Sequence, residues 1–271
     1  MIEGKNIVLT GAGSGIGLAV LKRLMQGSGN RILAVALDIE ALDGMGENVI
    51  PMRCDISTRE GVEAVFERAE ALFGCIDLFY ANAGFAYIED YNYTDWDRID
   101  RIFRTNTYSP MYSYARYAKH LGGKKGIFVC TVSAIGKMAM PGYTLYSASK
   151  YALVGFEEAL RLELPENIQL TCVYPVATNT NFFRAGGGGN PGFRRPFPVQ
   201  EPEVVAEKVV RGIEKGKKQI SPCFLFGLSR VLMTVCPPVR TVYRKIEKNK
   251  HEQNKQLMNL KEYAPAEKGQ K

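Results

Sequence analysis

Short runs of Val, Ile, Leu and Ala recur along the chain, separated by longer stretches in which apolar residues return every three or four positions. The runs at 5–10, 31–37, 48–53, 76–81, 126–132 and 168–174, with a weaker one at 218–221, predict strands. Ile32-Leu33-Ala34-Val35-Ala36-Leu37 shows no polar alternation, as expected of a strand covered on both faces. The helical pattern predicts helices near 15–27, 58–73, 95–120, 146–163 and 202–214. Thr94 with Asp97, and Ser57 with Glu60, have the spacing of helix-start caps. Strands alternating with helices predict an α/β fold: one doubly wound parallel sheet with helices on both faces.

The pattern lapses twice. Residues 175–201 form an irregular stretch containing Gly186-Gly187-Gly188-Gly189-Asn190-Pro191-Gly192, and a loop that long reads as a lid or binding loop. Beyond residue 221 the chain is apolar to Cys236 and then basic, and the expected division is a catalytic domain over 1–221, including loop 177–201, and a helical extension over 222–271. Pro237-Pro238 should end any helix before them; after Lys250 the chain becomes polar and charged, and its last residues are expected to fray.

Charge sharpens this division. Of the net +7, residues 215–271 carry +9 (13 Lys/Arg against 4 Asp/Glu), so the body is near neutral. A pI near 9 raises nucleic-acid binding, but no interleaved aromatic and basic motif supports it, and no nucleic acid is expected. The six cysteines form no C-x-x-C pair and no metal-like cluster with either histidine, so no metal is expected. Cys54, Cys130 and Cys172 lie at apolar strands and read as buried free thiols. With no leader-like segment before the first strand, cytoplasmic residence is the expectation.

Two motifs carry chemistry. Thr10-Gly11-Ala12-Gly13-Ser14-Gly15-Ile16-Gly17 follows a strand and opens a helix, so its glycines allow a tight turn and its helix start offers free N–H groups to a pyrophosphate. Asp38 lies 21 residues beyond Gly17, after the second strand, where a carboxylate suits a ribose 2′-hydroxyl and repels a 2′-phosphate, so NAD is expected over NADP. Tyr146 and Lys150, four apart, share one helical face, and a cation there is expected to lower the tyrosine pKa toward that of a useful base.

Together these residues resemble the short-chain dehydrogenase/reductase family over residues 1 to about 220, and the nearest likeness is to its NAD-dependent hydroxysteroid dehydrogenases. The glycine turn (Gly11, Ser14, Gly15, Ile16, Gly17), Asp55 with Ile56, and Asn82-Ala83-Gly84 match cofactor-binding positions, with Ala81 where the family has asparagine. Pro175, Thr178 and Thr180 match the segment beside the nicotinamide, with Val176 where glycine is commoner. Ser133, 13 residues before Tyr146, and Asn106 complete the expected catalytic set with Tyr146 and Lys150. The resemblance implies a Rossmann-like fold, NAD as cofactor, proton transfer by Tyr146, a role for Lys150 on the nicotinamide ribose, substrate-oxygen binding by Ser133, a proton-relay water held by Asn106, and a homodimer or homotetramer.

Phe85, Met138, Met140, Pro141, Tyr143, Phe182 and Phe183 sit on segments that should border the nicotinamide and suggest a lipophilic secondary alcohol or ketone, such as a hydroxysteroid or bile acid. Arg184, Arg194 and Arg195 are expected on a solvated loop rather than against an acidic substrate group. The apolar run from Pro222 to Cys236 is 15 residues, at most about 22 Å as a helix and short of the ~30 Å hydrocarbon core. It is expected to cover the substrate pocket or a subunit interface, with a peripheral membrane contact as the alternative. The rival functions are a membrane-associated retinoid or lipid alcohol dehydrogenase, a catalytically silent NAD-binding regulator, and a sugar-nucleotide epimerase.

Overall fold

The computed structural model describes residues 2–187 and 192–258. Six of its strands are β1 (Asn6–Thr10), β2 (Arg31–Ala36), β3 (Val49–Arg53), β4 (Leu78–Ala81), β5 (Gly126–Thr131) and β6 (Ile168–Val173). Two-residue strands β7 (Ala177–Thr178) and β8 (Val199–Gln200) pair apart from them, and β9 (Gln219–Ile220) completes a seven-stranded parallel sheet. Its order is β3-β2-β1-β4-β5-β6-β9, and each run predicted from the hydrophobic pattern is a strand in it. The winding direction reverses between β1 and β4, which opens a crevice beyond their carboxyl ends.

Alternation along the strands builds two cores. Ile7, Leu9, Ile32 and Ala34 face one side, against Val20 and Leu24 of α1 (Gly15–Leu24) and Val205 and Val209 of α7 (Pro202–Glu214). Val8, Leu33, Phe79 and Phe128 face the other. There they meet Phe66 of α2 (Arg59–Phe73), Tyr117 of α4 (Ser109–Leu121) and Leu153 of α5 (Thr144–Glu163). Phe79 stacks on Phe66 at 4.9 Å and on Phe128 at 5.7 Å between centroids, so the second core is an aromatic column.

The sequence and the structure part at several points. The caps are shifted by one residue: Thr58 caps α2 by accepting from the Gly61 amide, and Asp95 caps α3 (Trp96–Phe103) by accepting from the Arg98 amide. The continuous helix expected over 95–120 is broken into α3 and α4 by a π-helical turn, Arg104–Tyr108. The wide turn aims Asn106 into the core, where it is fully buried. The long loop is not wholly irregular, since the β7–β8 ladder closes its base and a short helix, α6 (Phe182–Ala185), buries Phe183. Gly188 to Pro191 lie outside the described residues. Cys130 and Cys172 are buried free thiols, but Cys54 is only half-buried.

After β9 come α8 (Phe224–Val235) and α9 (Pro237–Met258), which meet at Cys236 as the proline pair requires. α9 runs on well past Lys250, because its polar residues find partners in the body. Asp90 accepts from His251 Nε2 at 2.6 Å and from Lys255 Nζ at 2.6 Å, and the Asn254 amide exchanges two hydrogen bonds with the Arg194 backbone. Residues 259–271, where fraying was expected, are outside the described residues. Among the described residues no helix is long and apolar enough to cross a membrane.

The Tyr117 hydroxyl joins α4 to two strands by donating to the Asp77 carbonyl (2.9 Å) and accepting from the Ile127 amide (3.1 Å) in the dry core. Tyr117→Phe should therefore cost about 1–2 kcal/mol in equilibrium denaturation with the cleft geometry unchanged.

Candidate active site

The carboxyl ends of β1, β4 and β5 are joined by side-chain hydrogen bonds. Thr10 Oγ1 accepts from the amides of Asn82 (3.0 Å) and Ala83 (3.2 Å), while Asn82 Nδ2 donates to the Thr10 carbonyl (3.2 Å). Thr131 Oγ1 donates to Asn82 Oδ1 at 3.0 Å, and Lys150 Nζ donates to the Thr131 carbonyl at 3.0 Å. The first link of this chain anchors the glycine turn and the last holds the lysine. Thr10 and Thr131 have no separate signal in the sequence as site residues, because an isolated threonine at a strand end usually reports only β-propensity.

The glycine turn itself is sterically required. A Cβ on Gly17 would lie 1.9 Å from the Gly11 carbonyl, and one on Gly13 would lie 2.3 Å from the Asp38 carbonyl. Gly11 and Gly15 also need positive φ, +67° and +56°. The Ser14 side chain does not cap α1, so the first turn of that helix offers its amides to the cleft without a side-chain acceptor.

A cleft of about 900 Å³ runs from this turn past Asp38, Asp55 and Asn82 to Ser133, Tyr146 and Lys150. Of the expected cofactor and substrate residues, all but Pro141 line it: Gly11, Ser14, Gly15, Ile16, Gly17, Asp38, Asp55, Ile56, Asn82 to Phe85, Met138, Met140, Tyr143, Pro175, Val176, Thr178, Thr180, Phe182 and Phe183. Asn106 does not. It stands behind the wall, its Oδ1 accepting from the Phe85 amide (3.0 Å) and its Nδ2 donating to the Phe85 carbonyl (2.8 Å) and Ser149 Oγ (3.2 Å). A Cβ on Gly84 would lie 3.0 Å from Asn106 Oδ1 and 3.5 Å from Lys150 Nζ, so only a glycine fits comfortably between them.

Ser133 has φ +119°, the only non-glycine positive φ among the described residues, which is a strained backbone at the point where its hydroxyl meets the Tyr146 phenol. The expected acidification of Tyr146 is reversed by the protein's own groups. Burial pushes its phenol up to about 12, only partly offset by the Ser133 hydrogen bond. Burial likewise pushes Lys150 down to about 8. Lys150 Nζ sits 5.8 Å from the Tyr146 ring centroid, and desolvation of both groups outweighs their attraction.

The end of the cleft beyond Tyr146 is lined by apolar side chains, and its roof was not foreseen in detail. Leu225, Phe226, Leu228, Leu232 and Met233 of α8 and Tyr243 of α9 line it. Phe226 packs with Ala134, Cys223, Met138 and Val176, so the valine that replaces the commoner glycine helps seat this helix. Pro141 lines a neighbouring hollow instead of the cleft. Arg184, Arg194 and Arg195 do not line it either: Arg195 Nη1 donates to Asn179 Oδ1 at 2.5 Å, and the Arg194 backbone is held by Asn254.

The arrangement has the features a dinucleotide needs: an uncapped helix start, a glycine cradle and acidic residues at the ends of β2 and β3. The profile of the family described as "short chain dehydrogenase" matches residues 5–187. An oxidoreductase of Mycobacterium tuberculosis named SadH is 30% identical over 236 residues, covering 80% of this chain and 86% of its own. Human estradiol 17-beta-dehydrogenase 11 is 27% identical over 246 residues (85% and 80%), and 3beta-hydroxysteroid dehydrogenase 2 of Eggerthella lenta is 29% identical over 192 residues (67% and 74%). In fold, a short chain dehydrogenase of Burkholderia cenocepacia in complex with NADP superposes with a TM-score of 0.75 at 21% identity, covering 89% of this chain and 97% of its own. A Burkholderia phymatum short-chain dehydrogenase/reductase in complex with NAD gives 0.73 at 22% identity (92% and 97%).

The buried lysine has a thermodynamic signature. Its pKa falls from 10.5 unfolded to about 8 folded, so between those values the unfolded chain binds more protons and stability rises with pH. From pH 8 to pH 10 the cofactor-free protein should gain about 2 kcal/mol relative to Lys150→Met. Denaturant titrations of both proteins across that range check it, and a constant difference would contradict the burial.

Proposed function

The chain belongs to the short-chain dehydrogenase family of oxidoreductases, and we propose that it interconverts a lipophilic secondary alcohol and its ketone with NAD(H). The convergence of Tyr146, Ser133 and Lys150 at one end of an apolar cleft that begins at the glycine turn carries this reading. A bound nicotinamide dinucleotide would supply a carbon that takes or gives hydride, and a positively charged ring when oxidised. The residues present fit that group: the amides at the start of α1 would hold its phosphates, Asp38 a ribose hydroxyl, and Lys150 the second ribose.

Tyr146 Oη accepts the hydroxyl proton in alcohol oxidation and returns it in ketone reduction. Its raised pKa keeps it protonated until a nearby positive charge lowers it, so its basicity depends on what the cleft contains. Ser133 Oγ donates a hydrogen bond to the substrate oxygen. Asn106, enclosed by its own partners, positions Phe85 and the Gly84 backbone between itself and Lys150.

The only Lys or Arg residues lining the cleft, among the described ones, are Arg101 and Lys150, neither of them on the β2 end that carries Asp38. That absence of a cation supports NAD over NADP. The apolar roof supports a substrate such as a hydroxysteroid or another neutral hydrophobic alcohol, and the two hydroxysteroid dehydrogenases among the relatives agree with it. Exposed Tyr108 at the end of the π-helical turn, with Tyr151 and Leu162 on the outer face of α5, supplies a surface for a homodimer or homotetramer. A second reading, peripheral contact with an anionic lipid surface, is favoured by one observation. α8 exposes Phe224, Leu228, Val231 and Val235 at helical spacing, beside exposed Arg230 and Arg240.

A screen for NADH formation from steroids, bile acids, retinol and short secondary alcohols tests the activity. NAD should outperform NADP by about tenfold or more, and Asp38→Ala should shrink that ratio. Tyr146→Phe should lose about 10³-fold in kcat while NADH fluorescence still reports binding. Substantial turnover by that variant would sink the assignment. Sedimentation with anionic vesicles at low salt and release at high salt would support the lipid contact, and no sedimentation would reject it.

A further inference from the structure

Two phenol oxygens in the cleft are enclosed without a hydrogen-bond partner, one on the buried Tyr143 and one on the half-buried Tyr243. Tyr143 Oη and Tyr243 Oη are both closed off from solvent, and neither donates nor accepts within the protein. Tyr143 precedes α5 and is only 6% exposed, and Tyr243 projects from α9; both line the cleft. Buried hydroxyls in a folded protein are nearly always satisfied, so two left open in one cavity point to a partner that arrives from outside. Two other enclosed side-chain atoms among the described residues, Ser147 Oγ and Gln200 Oε1, also lack a partner, but neither residue lines the cleft. The Tyr117, Tyr80 and Tyr93 hydroxyls all have named partners, and so do the Asn82 and Asn106 amides.

We propose that Tyr143 and Tyr243 form a second polar subsite, which binds a neutral hydrogen-bond-accepting oxygen of the substrate other than the one that reacts at Tyr146. The inference rests on the lipophilic-substrate reading and narrows it from any hydrophobic alcohol to a bifunctional one. Both phenols remain protonated across the physiological range, because burial and the Glu247 carboxylate on α9 oppose their ionisation, so they act as donors. The incoming group is therefore an acceptor. Glu247 is itself buried and paired with Lys250 at 2.7 Å, which leaves no spare cation on that pair to welcome a carboxylate. A ketone or hydroxyl oxygen fits, and the surrounding wall of Met138, Met140, Phe183 and Leu232 fits the hydrocarbon frame joining two oxygens. Tyr243 lies beyond residue 187, where the family match ends, so this specificity device belongs to the C-terminal helices of this chain.

The test is a matched pair of steroids, 5α-androstan-17β-ol and its 3-oxo counterpart, with binding measured by equilibrium dialysis on the NADH-loaded protein and turnover measured separately. The wild type should bind the 3-oxo steroid about tenfold or more tightly. Tyr143→Phe and Tyr243→Phe should each erase most of that preference while changing binding of the 3-deoxy steroid by less than about threefold. Both variants should unfold at the wild-type denaturant concentration or slightly above it, unlike Tyr117→Phe, because the lost hydroxyl has no native partner. Clear destabilisation by either substitution would show that its hydroxyl serves the fold, and would overturn the proposal. Equal binding of the two steroids, or no binding of either, would also overturn it. Discrimination in binding without NADH-linked turnover of any alcohol would uphold the subsite and remove the proposed activity instead.

Discussion

The site depends on one chain of hydrogen bonds across the strand ends: Thr10 to Asn82, Asn82 to Thr131, and Thr131 to Lys150. Parallel strands whose winding reverses leave a gap at their carboxyl ends, and a gap alone has no fixed shape. Here each side chain uses its polar atoms on its neighbour, so the glycine turn, the Asn82 bend and Lys150 are held as one body. Most of these bonds are partly buried, where an unpaired polar atom is expensive, which makes the arrangement hard to loosen one bond at a time. Asn106 extends the same logic behind the wall. A π-helical turn, costly in itself, brings its amide to the Phe85 backbone and Ser149.

Against that rigid frame, the reactive groups are kept in unfavourable states. A phenol pushed up and an ammonium pushed down are both consequences of removing water from the cleft. The sequence suggests that Lys150 should acidify Tyr146, since four residues of helix place them on one face. The fold adds what spacing cannot contain, the depth of burial, and burial is the larger effect. The strained φ of Ser133 belongs to the same economy: the backbone is bent to bring a hydroxyl to the phenol.

The sheet was legible because burial on both faces leaves unbroken apolar runs, and β2 is the plainest case. The cofactor end of the cleft was legible because a glycine turn, an acidic residue after the second strand and Asn82-Ala83-Gly84 each answer a local steric or electrostatic demand. The π turn was not, since Arg104-Thr105-Asn106-Thr107-Tyr108 has ordinary helical periodicity. Nor was the anchoring of α9. His251, Asn254 and Lys255 look solvated in sequence, and only the fold supplies Asp90 and the Arg194 backbone as their partners. The apolar run after residue 221 was expected to cover the substrate pocket or a subunit interface, without its orientation being legible. Which face of α8 turns inward is decided by Phe226 settling against Val176 and Ala134, a contact between segments about fifty residues or more apart.

The clamp between α9 and Asp90 has a modular corollary. Floor and roof of the cleft come from separate stretches of chain, joined by the packing of Phe226 on Ala134 and Val176 and by the polar contacts of α9 with Asp90 and Arg194. The last segment can therefore be exchanged without displacing Ser133, Tyr146 or Lys150, as a lathe keeps its spindle when the chuck is replaced. A change confined to that terminal portion reshapes the roof and leaves the strand ends beneath it where they are.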